Sequence, residues 1–119
     1  MGAACQLGAR DSTIIDMDRI ALLTQVLEQN PTDAFARYGL AIALVGEGKT
    51  DAALEQFSTL LGHNPDYVPA YQMSAQTLAK LGRSEEAVGR LRDGLEAASR
   101  TGNQHAASEM QGLLDELGG

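Results

Sequence analysis

Gly48-Lys49-Thr50-Asp51-Ala52-Ala53-Leu54 returns thirty-four residues later as Gly82-Arg83-Ser84-Glu85-Glu86-Ala87-Val88. Gln29-Asn30-Pro31 returns as His63-Asn64-Pro65 at the same offset. Outward from these stretches the register holds: Ala36 with Ala70, Ala41 with Ala75, Leu44 with Leu78, Phe57 with Leu91, Leu61 with Leu95. Ile20, Leu23 and Leu27 fall one period before Leu54, Phe57 and Leu61. A period of this size marks stacked supersecondary units, each covering its neighbour's apolar flank. Small residues let helix backbones approach, and large ones fill the space beside them. Stacked units make surfaces for partners, so the chain reads as a binding module.

The pattern within each period is helical, and six helices are predicted. The first runs from Asp16 to Gln29, with Ile20, Leu23, Val26 and Leu27 on one face. Asn30-Pro31 stops it, since proline disfavours helical geometry in the residue before it. The second begins at Asp33 as cap and ends before Gly46-Glu47-Gly48; the third is capped by Thr50 and ends before Asn64-Pro65. Asp66 opens the fourth, which closes at Gly82; Ser84 opens the fifth. The sixth covers Asn103–Leu117 after the break at Thr101-Gly102. Short links enforce antiparallel hairpins, and no stretch alternates with period two. Residues 1–15 lack helical periodicity and are expected to form a disordered extension, with Met17 a candidate natural start.

At 119 residues the chain makes one domain, and its net charge of −7 argues against a nucleic-acid surface. Cys5 is the single cysteine, so no disulfide within the chain and no cysteine cluster can form. No apolar run reaches the ~18 residues of a membrane span, and the N-terminal residues lack a secretory pattern. A cytoplasmic protein with no membrane partner is the expectation.

The joint pattern resembles the tetratricopeptide repeat family. In residues 34–67, Leu40, Ala41, Leu44, Gly48, Ala53, Phe57 and Pro65 stand at signature positions. In residues 68–101, Tyr71, Ala75, Leu78, Gly82, Ala87, Leu91 and Leu95 do so. Residues 16–31 resemble half of a preceding repeat, and 103–117 a capping helix, giving a domain over 16–117. Three positions depart: Arg37 replaces a large aromatic, Ser74 a leucine and Ser99 the closing proline. Arg37 then needs an acidic partner or solvent, and the second repeat can run on past Ser99. The resemblance implies an all-α, short right-handed solenoid of antiparallel helix pairs, small and of bacterial type.

No chemistry emerges from the motifs. Gly48-Lys49-Thr50 is not a phosphate loop: Ala43 stands where that motif needs glycine, and helices rather than a strand flank it. His105 and Glu109 lie one helical turn apart, but two ligands without a third are a solvated polar face. The two histidines share no nucleophile or carboxylate in a catalytic order. No enzyme activity, no cofactor and no metal are expected.

In the family the first helix of each pair lines the concave face. The resemblance implies groove positions Tyr38, Gln72 and Ala106, then Ile42, Gln76 and Met110, with Phe35 and Lys80 on neighbouring turns. This mixture suits an extended or helical peptide with few charges. The clamp by which some relatives hold acidic tails needs Lys, Arg and Asn; Tyr38, Ile42 and Gln72 stand there instead. The predicted function is therefore a protein-interaction adaptor for a protein or peptide partner. The alternatives are a self-association module, forming a homodimer through the N-terminal stacking face, and an accessory subunit of an enzyme complex.

Overall fold

The computed structural model of the chain describes residues 12–119. Among them are six α-helices and no strand: α1 (Ser12–Gln29), α2 (Ala34–Gly46), α3 (Thr50–His63), α4 (Val68–Lys80), α5 (Ser84–Thr101) and α6 (Gln104–Glu116). The extension expected over 1–15 lies outside the described residues as far as residue 11, and α1 starts at Ser12 rather than Asp16. Neither glycine nor proline interrupts Ser12–Gln29, so nothing stops cooperative growth of the helix back past Asp16.

The repeated stretches form repeated joints. Gly48 and Gly82 both adopt φ +78°, a left-handed conformation that side chains avoid. The N–H of Lys49 donates to the Leu44 carbonyl at 2.9 Å, and that of Arg83 to Leu78 at 2.9 Å. These are the 6→1 bonds of a glycine-closed helix end, satisfying carbonyls the helix leaves unpaired. At the Asn-Pro joints, Asn30 N–H donates to Val26 and Asn64 N–H to Leu60, at 2.9 and 2.8 Å.

Capping follows the sequence less evenly. Asp33 accepts from the Ala36 N–H at 3.0 Å, and Asn103 from Ala106 at 3.1 Å. Thr50 is instead the first residue of α3, with Lys49 at the cap and no side-chain bond. Asp66 does not open α4 either; it accepts from Arg100 Nε at 2.9 Å, tying the turn before α4 to the end of α5.

Each helix packs on the next in the chain, and in addition α2 packs on α4 and α4 on α6. Equivalent positions of successive pairs share one core, Ala41 with Ala75 and Phe57 with Leu91, and Ala53 and Ala87 are likewise fully buried. Burying Phe57 alone contributes about 1.5–3 kcal/mol. Ser74, in the place of a leucine, is buried too; its hydroxyl donates to the Ala70 carbonyl at 2.6 Å, so it brings no unpaired polar group into the core. Because α2 packs on α4 and α4 on α6, while α3 and α5 meet only through long side chains such as Arg90, the stack curves with the first set inside. The extents of 53 × 33 × 24 Å and a radius of gyration of 16.1 Å reflect this row. A compact protein of this length has about 13.5 Å.

Candidate partner-binding groove

The concave face is built by α2, α4 and α6. Its centre is nearly free of charge: α2 and α4 together carry only Arg37 and Lys80. The guanidinium of Arg37 turns away, donating to Gln56 Oε1 at 2.6 Å and to the Pro31 carbonyl at 2.8 Å. Of the acidic partner or solvent expected for Arg37, no acidic side chain pairs with it among the described residues; two neutral oxygens hold the half-buried guanidinium.

Two hollows lie side by side on this face and share Gln76. One, of about 280 Å³, lies between the end of α2 and α4, lined by Val45, Met73, Thr77, Lys80 and Leu81. The other, of about 540 Å³, lies between α4 and α6, with Gln72, Ser108, Glu109, Leu113 and Glu116 around it and Leu91 and Met110 beneath. Gln72 Nε2 donates to Glu109 Oε1 at 2.7 Å across this cleft. The other carboxylate oxygen of Glu109 pairs with His105 Nε2 at 3.2 Å. Among the described residues no three His, Cys, Asp or Glu side chains converge as metal ligands do.

The structure disperses part of the expected set. Phe35, in the first turn of α2, is 78% exposed. Tyr38 is half-buried between Phe57 and Tyr67, with ring centroids 6.2 and 5.4 Å away. Burial, and then the neighbouring Tyr67, raises the Tyr38 hydroxyl above the ordinary tyrosine range. Ile42 packs its inner side on the core, Gln72 and Gln76 are half-buried at the cleft, and Lys80 is exposed at the smaller hollow.

Met110 requires correction: it is 0% exposed and belongs to the core, as does Ala106. The cause is one missing proline. With Ser99 in its place α5 runs on to Thr101 and closes at Gly102, φ +71°. Thus α4 starts 34 residues after α2, but α6 starts 36 after α4. The extra residues turn α6 about its axis, since each residue rotates a helix by about 100°. Met110 swings inward and Glu109, Leu113 and Glu116 come to the groove. These are the lining residues that a strict 34-residue period misses; the absent proline at 99 is the signal for them.

A hollow of about 600 Å³ also lies outside the groove, between α3 and α5. Part of its charge is paired: Arg83 pairs with Glu86 at 2.8 Å and with Asp51 at 3.6 Å, and Arg90 donates to Ser58.

Comparison with known proteins agrees with this architecture. The family model described as tetratricopeptide repeat matches residues 20–72 and 44–110. No curated protein matches the chain. A solution structure of a tetratricopeptide repeat domain protein from Salinibacter ruber is 31% identical, covering 74% of this chain and 89% of that one, with a TM-score of 0.70. A crystal structure of such a protein from the same organism is 31% identical over 73% of this chain and 98% of that one, TM-score 0.68. The TPR2B domain of yeast Sti1, solved in complex with pHsp70, is 18% identical over 90% of this chain and 88% of that one, TM-score 0.78. With matches spanning most of its length and helices repeating in register, the chain belongs to the tetratricopeptide repeat family.

Proposed function

We propose that this chain is a protein-interaction adaptor that holds a segment of a protein partner in its concave groove and carries no chemistry of its own. The observation behind this reading is the pair of adjacent hollows sharing Gln76, with apolar side chains in both and charge confined to Lys80 at one and Glu109 and Glu116 at the other. Between those charges the half-buried amides and apolar side chains desolvate at little cost. The Sti1 domain, whose fold this chain shares, was solved in complex with pHsp70, which fits a binding role for the fold.

The test is affinity capture from extracts of the source cell with wild type, Gln76→Arg and, as a control on the outer face, Glu85→Gln. A specific partner is recovered by wild type and Glu85→Gln and lost with Gln76→Arg. Equal recovery with all three contradicts the groove.

A second reading, self-association, is favoured by one observation. Three of the four large apolar side chains exposed among the described residues, Leu22, Val26 and Phe35, lie on α1 and the start of α2. Exposed apolar surface of this kind invites a stacking partner. Sedimentation equilibrium decides it: a dimer that Leu22→Glu dissociates supports this reading, and a monomer at high micromolar concentration removes it.

A further inference from the structure

The groove reading leaves open what kind of segment is held; the inference here deepens that reading and rests on it. Charge is distributed unevenly along the concave face. At the hollow lined by Val45, Met73 and Leu81, toward α2, the charged lining residue is the exposed Lys80. On the α6 side stand Glu109 and Glu116, both lining the larger cleft. Glu109 is held in place there by Gln72 and His105, and Glu116 has no ion pair among the described residues. Asp115, beside Glu116, adds to the negative field from the same turn.

We infer that the groove is polarised and takes a protein segment with an apolar anchor toward α2 and a lysine or arginine toward α6. The anchor, aliphatic or aromatic, enters the hollow beside Val45, Met73 and Leu81. The cation lies in the cleft against Glu109 and Glu116. Lys80 repels that cation from the wrong hollow, so the two ends are not interchangeable. Discrimination of this kind comes from an unfavourable contact as well as a favourable one. Gln76, bordering both hollows, offers an amide donor and an acceptor to the backbone that crosses between them.

The spacing of the two side chains follows from geometry. The hollows flank α4, and a helix with its side chains is about 10 Å across. An extended chain advances about 3.3 Å per residue, so anchor and cation stand about three residues apart.

The test is selection from a random short-peptide library displayed on phage, using the full chain as bait. The expected outcome is enrichment of peptides with Lys or Arg about three residues from Leu, Ile, Met or Phe. The affinity of a selected peptide is then measured against a double variant, Glu109→Lys with Glu116→Lys. Both side chains are exposed, and circular dichroism checks that helix content is kept. Affinity falls about ten-fold or more, and selection on the variant enriches acidic residues at the cation's place. Gln76→Arg separates the two readings. If it abolishes binding while charge reversal changes affinity less than about two-fold, the groove stands and its polarity is wrong. If neither variant affects binding, or no peptide is enriched, both are overturned.

Discussion

Arg37 and Tyr71 stand one period apart and perform the same task with different chemistry. The Arg37 guanidinium donates to the Pro31 carbonyl at 2.8 Å, and the Tyr71 hydroxyl donates to the Pro65 carbonyl at 2.7 Å. Each ties the turn entering its helix pair to the first helix, six residues on. Sequence comparison marks Arg37 as a departure, because it registers the lost aromatic and not the retained donor. We therefore expect Arg37→Tyr to leave stability within about 1 kcal/mol of wild type, whereas Tyr71→Phe loses about 0.5–1.5 kcal/mol. Urea denaturation of both variants checks this; a large loss for Arg37→Tyr contradicts the equivalence. Gly94 shows another residue-scale constraint. A Cβ there lies 2.6 Å from Met110 Sδ and 2.7 Å from Tyr71 Cβ. Gly94→Ala should cost about 1–3 kcal/mol despite its better helix propensity, measured as a lowered unfolding midpoint. Stabilisation by that alanine contradicts the close packing of α4, α5 and α6.

At the scale of the element, what was legible in the sequence was local. The Asn-Pro stops and the glycine closures depend only on backbone sterics within a few residues, and helices end where these occur. Side-chain roles at helix starts were less legible: Thr50 and Asp66 carry cap chemistry, yet among the described residues only Asp33 and Asn103 use it. Whether a capping side chain points at the free N–H groups is decided by its partners, and Arg100 recruits Asp66. Arg83 similarly joins the first turn of α5 to itself, donating to both Glu86 oxygens at 2.8 Å. That hydrogen bonding holds the Glu86 carboxyl below the ordinary carboxylate range. A carboxyl so lowered contributes stability above its unfolded pKa, and the contribution is lost as pH falls through the lowered folded value. In an NMR titration, Arg83→Met should raise the Glu86 midpoint toward the ordinary glutamate value. An unmoved midpoint contradicts the assigned cause.

Over the whole molecule, the repeat period sufficed to foresee a row of antiparallel pairs but not the last element's rotation. Tyr38, Ile42, Gln72 and Gln76 lie on the helices that keep the 34-residue step, and all four remain on α2 and α4 where the period places them. Met110 lies beyond the overrun of α5, so its inward turn follows from where α5 ends, which the missing proline at Ser99 signals and the repeat period does not. The same overrun brings Glu109 and Glu116 to the groove, and the inner face thereby acquires its acidic end. The outer helix α5, by contrast, carries seven charged side chains from Glu85 to Arg100, of which Glu86 and Arg100 pair with Arg83 and Asp66 in neighbouring turns. No helix among the described residues is long and apolar enough to cross a membrane. A chain built this way offers a smooth inner face and a heavily hydrated outer one, which directs a partner to the inside. The most direct test is an amide chemical-shift map of the labelled protein titrated with a library-selected peptide. The account predicts perturbations concentrated at Gln72, Met73, Gln76, Glu109 and Glu116; perturbations centred on Asp51, Glu55, Glu86 and Arg90 would contradict it.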